Sequence, residues 1–250
     1  MQHPDYEVHS LAPPPPPAML KTSFRTKVVR FSKSGLQQLK RDVAAGLEND
    51  QYISTNDAMC ALIWCCVLAV QIDSSSYSPD ALSLNTICVD GRTRCSDRLP
   101  ENHIGCPMFY ATPRLRVNQV LGTKDLTKAS LAIRRAINAV NEDAIADLVS
   151  FLNHIPDYDC LAPVSFNSLM DTGVMISSWF RLPFSDVNWG SMFGSGRCDC
   201  VRTVHEGVFN GSQIIMPKLA SGGMDVVIGL DESNWLKFEE NMLWKRYTCQ

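Results

Sequence analysis

Ile53-Ser54-Thr55-Asn56-Asp57-Ala58-Met59-Cys60-Ala61-Leu62-Ile63-Trp64-Cys65-Cys66-Val67-Leu68-Ala69-Val70 holds the first decision about the fold. Ser54 with an acid three places later is a capping-box pattern, in which side chains satisfy backbone N–H groups left free at a helix start. From Ala58 to Val70 the segment is apolar on nearly every face, so the helix it predicts must be covered on all sides. It is shorter than the roughly 18 residues a membrane span requires and therefore reads as a core helix. Cys60, Cys65 and Cys66 inside it, and Cys88 further on, are small hydrophobes in apolar segments.

The flanking sequence supplies what could cover such a helix. Upstream, Thr26 to Phe31 alternates like a strand. Ser34 is then placed to cap a helix with Leu36, Leu39, Val43 and Leu47 on one stripe. Downstream, Leu82 to Val89 and Met108 to Val117 read as strands, and Leu126 to Val140 and Glu142 to Leu152 as amphipathic helices. After Pro163 the pattern turns to β, with Val174 to Phe180, Val201 to Val204, Gln213 to Pro217 and Met224 to Leu230. Asn210-Gly211 and Gly222-Gly223 mark turns between them. A helix from about Glu232 to Tyr247 closes the chain. The sum is an α/β domain over 24–250, with a mixed β-sheet packed with helices. Residues 1–23 end in the run Pro13 to Pro17, which favours extended polyproline II, and they read as a crossover or linker segment.

Composition narrows the function classes. The chain has 250 residues, 45% hydrophobic and 20% charged, with a net charge of −3. That balance is ordinary for a globular protein and leaves no basic footprint for nucleic acid. The amino terminus has neither the basic start nor the apolar core of a secretory signal. No membrane partner is expected, a cytoplasmic location is, and the Asn210-Gly211-Ser212 sequon would then be idle. Of ten cysteines only Cys198 and Cys200 form a tight pair, with no second Cys/His pair at zinc spacing, so no metal is expected. Gly190 to Gly196 lacks the lysine and strand-to-helix setting of a phosphate loop, and there is no G-x-S-x-G elbow.

Four segments, in order, resemble the BAHD-type, coenzyme-A-dependent acyltransferases, in particular the fungal branch with trichothecene O-acetyltransferase-like proteins. They are Ile53 to Ala58 with Leu62-Ile63-Trp64; Val89-Asp90-Gly91-Arg92-Thr93-Arg94; Leu99-Pro100-Glu101-Asn102-His103-Ile104-Gly105; and Ser177-Ser178-Trp179-Phe180-Arg181-Leu182-Pro183 leading into Val187-Asn188-Trp189-Gly190. His3-Pro4-Asp5-Tyr6 is similar to a stretch near the domain crossover of fungal members. The resemblance implies a chloramphenicol-acetyltransferase-like domain, the carboxy-terminal of two. Acyl-CoA, with acetyl-CoA as the expected donor, would be a co-substrate rather than a permanently bound cofactor. A small-molecule hydroxyl or amine of secondary metabolism would be the acceptor.

Two family signatures bear on the site. The later one is usually Asp-Phe-Gly-Trp-Gly, and its aspartate is held to pair with the arginine of an Asp-x-Arg segment. Here Asn188, Trp189 and Gly190 stand in its place, with Arg92 as partner, and asparagine removes the charge from that contact. Trp189 is expected as a packed aromatic, Gly190 as a tight backbone site, Arg92 as an internally satisfied cation and His103 as a packing residue. The earlier signature, His-x-x-x-Asp, supplies the base that takes the acceptor's proton. Four places after His3, His9, His103, His154 and His205 stand Glu7, Pro13, Pro107, Tyr158 and Phe209, so none matches. His3, nearest to the pattern, is expected in an exposed tail. No catalytic residue is therefore assigned, and the isolated chain is expected to be inactive unless a chain bearing the first domain completes it. The competing expectation is a catalytically inactive domain that binds coenzyme A or docks on a relative. Ser54, Asn56 and Asp57 are candidates for the cofactor channel; helix capping alone also explains them.

Overall fold

In a computed structural model, residues 3–10, 12, 23–72, 77–95, 99–100, 103–122, 125–169, 171–198, 200–203 and 211–248 are described. The run Pro13 to Pro17, Val204, His205 and Asn210 lie outside them. Helix α1 spans Lys33–Ala44 and helix α2 spans Thr55–Gln71. Along α2 every residue from Ala58 to Leu68 is buried, and Met59, Leu62, Ile63 and Trp64 are all at 0% exposure. Burying each such large side chain contributes about 1.5–3 kcal/mol, which is why this segment forms the centre of the core. The Trp64 indole N–H is not left unpaired: Nε1 donates to Ser83 Oγ at 2.8 Å, and that hydroxyl donates to Thr172 O at 2.6 Å.

The strands are β1 (Tyr6–Val8), β2 (Phe24–Phe31), β3 (Leu82–Asp90), β4 (Met108–Ala111), β5 (Arg114–Arg116), β6 (Leu161–Pro163), β7 (Gly173–Ser178), β8 (Ser212–Lys218) and β9 (Met224–Asp231). The remaining helices are α3 (Val117–Leu121), α4 (Thr127–Ala139), α5 (Glu142–Leu152), α6 (Val164–Asn167), α7 (Trp235–Glu240) and α8 (Met242–Lys245). The main sheet has the order β2-β9-β8-β7-β3-β4, with β5 also pairing β3. β3, β7 and β8 are parallel and the other pairings antiparallel, so the sheet is mixed. The α/β class read from the sequence is the one observed.

Several boundaries moved, each for a local reason. Ser32, not Ser34, caps α1, its Oγ accepting from Gly35 N at 3.0 Å. Met108 to Val117 is two strands and a helix start, because Pro113 has no N–H to continue the ladder. Val201 to Thr203 is irregular, not a strand. The closing helix is broken at Asn241, whose side chain accepts from Leu243 N and Trp244 N and so starts a new helix. The amino-terminal segment is also more than a linker. β1 pairs antiparallel with β6, and Arg114 binds both Pro4 O (3.0 Å) and the Asp5 carboxylate (2.6 Å).

Candidate functional site

Parallel strands that end side by side leave a crevice beyond their carboxyl ends, which is where open α/β sheets bind ligands. Here β3 ends at Asp90 and runs into Gly91-Arg92, while β7 ends at Ser177-Ser178 before Trp179. The amino terminus of α2 arrives at the same end. Ser178 Oγ donates to Asn56 Oδ1 at 2.7 Å, joining the first quoted segment to the last across 122 residues. Both side chains remain half-buried. Trp179 turns back, its Nε1 donating to Ser177 Oγ at 3.1 Å and its ring packing against Ile214, Met216 and Val227.

The capping box at Ser54 forms as read. Asp57 N donates to Ser54 Oγ at 3.2 Å, and Ser54 N donates to Asp57 Oδ2 at 2.6 Å. Asp57 carries a second duty that spacing did not reveal. It is 1% exposed and pairs with Arg134 of α4, both through Nε at 2.8 Å and through a terminal guanidinium nitrogen. Arg134 in turn lies over the Tyr52 ring, 5.5 Å from its centroid. The three bonds that the carboxylate accepts all reach Oδ2, and Oδ1 is buried without a protein partner.

The Asp90-Gly91-Arg92 turn is tight: a Cβ on Gly91 would lie 2.3 Å from the Phe109 ring. Arg92 folds back onto its own turn, with NH1 at 3.1 Å from Asp90 Oδ1 and NH2 donating to Gly105 O at 2.8 Å. The expected contact to Asn188 is absent. Asn188 Oδ1 accepts instead from Gly190 N at 2.9 Å, and Trp189 N donates to Gly196 O at 2.7 Å, so this loop is closed on itself. Gly190 has φ +83°, the left-handed region that favours glycine, as a tight backbone site requires. Two packing expectations fail here. Trp189 is 59% exposed, and His103 is exposed, because both sit on loops with nothing above them among the described residues. The second arginine of the turn, Arg94, is the one drawn inward: NH1 donates to Ile137 O and Val140 O at the end of α4.

No described histidine is arranged as a base beside Ser178. His103 is on an exposed loop, His154 Nδ1 is 2.7 Å from Ser150 O at the end of α5, and His9 is 3.7 Å from Glu7. His3, expected in a free tail, is docked: its ring lies 5.2 Å from that of Phe151. Burial pushes the Cys88 thiol up, partly offset by a hydrogen bond from Ser177, so it is a poor nucleophile near neutrality. Among the described residues no group of three or more His, Cys, Asp or Glu could hold a metal. No helix among them is long and apolar enough to cross a membrane.

With this geometry in place, comparison with known proteins identifies the family. The Transferase family profile matches residues 4–244. The chain belongs to that family. It is 28% identical over 248 residues to O-acyltransferase pigD of Monascus ruber, covering 96% of this chain and 52% of that protein. It is 25% identical to eremophilane O-acetyltransferase prx11 of Penicillium rubens, covering 98% of this chain and 50% of the relative. The fold matches the crystal structure of F. sporotrichioides TRI101 complexed with coenzyme A and T-2, with TM-score 0.79 at 19% identity over 91% of this chain and 51% of that one. Vinorine synthase shares the fold at TM-score 0.64, 15% identity, 91% and 49% coverage. The chain thus spans about half the length of the relatives it matches, and it is an acyltransferase-family domain of the α/β, chloramphenicol-acetyltransferase-like class.

Proposed function

We propose that this chain is the carboxy-terminal half of an acyl-CoA-dependent acyltransferase, and that its strand ends form one wall of a channel completed by a second domain. The carrying observation is the family match over 4–244 at about half the relatives' length, in a sequence with no His-x-x-x-Asp. On this reading the base belongs to the other half of the fold. Asn56 and Ser178 are the polar groups this half offers to the coenzyme, the donor being acetyl-CoA. Ser54 and Asp57 act behind them, holding the helix end in place. The acceptor is a hydroxyl or amine of a small molecule. Exposed apolar side chains on the loops support a missing neighbour: Ile104 is 98% exposed and Met192 92%. Arg92, Asn188, Trp189 and Gly190 have a structural part in this scheme, shaping loops that the second domain covers.

Chemically, the acceptor's oxygen or nitrogen attacks the thioester carbonyl, its proton passes to the base, and the C–S bond breaks to release coenzyme A thiol. A base near neutral pKa suits that proton transfer. The test is free-thiol release from acetyl-CoA with a panel of small alcohols and amines. The 250-residue chain alone should give none above background. Release should appear once a chain carrying His-x-x-x-Asp is added. Turnover by the chain alone would overturn this division of labour. The same exposed loops favour a second reading, an inactive domain that docks on a full-length relative; binding of such a partner without any thiol release would select it.

A further inference from the structure

A separate concavity lies at the β4 edge of the sheet. Strand β4 and helices α4 and α5 enclose a cleft of about 260 Å³, with Phe109, Ala139, Ile145 and Leu148 on its apolar walls. The docked amino-terminal segment closes one side through His3 and Asp5. The cleft falls just below the ~300–1,000 Å³ usual for ligand sites, which limits it to a single-ring molecule.

The polar groups around it are mostly donors. His3 Nδ1 accepts the Asp5 N–H at 3.1 Å, which places the proton of the neutral ring on Nε2. The hydrogen bonds of Arg114 to Pro4 O and Asp5 Oδ1 both run through one terminal nitrogen, leaving further N–H groups on the same fork. The Arg114 charge is already matched by Asp5, so an anionic ligand would gain no spare cation and would face that carboxylate. We propose that this cleft binds a small, uncharged, single-ring molecule whose carbonyl-type acceptor meets the donors of His3 and Arg114. The cleft abuts the turn at the end of β3 through Phe109, but its polar groups lie on β5 and the amino-terminal segment, away from Asn56 and Ser178.

The test titrates acetophenone and ethylbenzene, nearly equal in shape but with only one acceptor between them, into the 15N-labelled chain. Saturable shifts should appear at residues 109–114 and 136–148, with acetophenone binding about fivefold tighter, the ratio one net hydrogen bond supports. Ala139→Phe, at an exposed helix position, should fill the cleft and remove binding of both probes while the melting temperature holds. Ala136→Leu serves if that variant does not fold. His3→Ala should narrow the ratio between the two affinities, Arg114 remaining as a donor. Absence of saturation, equal affinities in the parent chain, or unchanged binding in the filled variant would overturn the proposal.

Discussion

The amino terminus of α2 and the loop around Trp189 both carry residues that the family resemblance singles out, yet they are built in opposite ways. At α2, Ser54 and Asp57 satisfy each other within one helical turn, and a buried ion pair to Arg134 then ties that turn to α4. In the loop, Asn188 and Trp189 satisfy only their own neighbours, and the ring stands 59% exposed. A motif whose partners lie close in the chain folds where it is read. A motif whose partner is distant depends on charge and on a covering surface, and here asparagine has replaced the charged residue.

That contrast is open to attack, beginning with its strongest element. Replacing Asp57 by alanine removes the carboxylate half of the capping box and strands Arg134, whose side chain is 24% exposed; the expected loss is about 3 kcal/mol in urea unfolding. A loss under about 1 kcal/mol would mean that the α2 terminus is no better anchored than the loop. Alkaline pH should come next. Burial pushes the Cys65 thiol from 9.0 up to about 12, so the unfolded chain releases its proton first. Stability contributed by the buried neutral thiol is therefore full below about pH 9 and falls as pH rises toward 12, by up to about 1.4 kcal/mol per unit. A Cys65→Ala variant, compared with the parent chain at about pH 8 and about pH 10.5 under reducing conditions, should show a shallower decline. Ser54→Ala, which removes only the hydroxyl of the cap, should cost about 1 kcal/mol. The smallest effect is expected in the loop. Asn188→Asp should change stability by less than about 0.5 kcal/mol, since Arg92 is already held by Asp90 and Gly105. A gain above about 1 kcal/mol would show that Arg92 can be recruited and would erase the contrast.

Much of the fold was legible because its cues are local. A helix apolar on nearly every face had to be central, alternation marked β2, and serine spacing marked the start of α2. The misread places are those where one residue outweighs a pattern: Pro113 splitting a strand, or Asn241 ending one helix to begin another. β1 and β6 went unread because three-residue strands carry too little periodicity to be seen.

The candidate site divides along the same line. Sequence alone settled that the chain is α/β, that Ser54 and Asp57 cap the buried helix, and that none of its five histidines has the family's spacing. Each of these rests on relations between residues a few positions apart, fixed by backbone geometry. Only the tertiary structure brought Asn56 to Ser178, sent Arg134 to Asp57, turned Arg94 inward and left Arg92 on its own turn. It also docked His3 against Phe151. Asn56 and Ser178 alone stand 122 residues apart, and no periodicity encodes such a pairing. These contacts follow from which strands end side by side, and that is decided by how the whole apolar surface is buried.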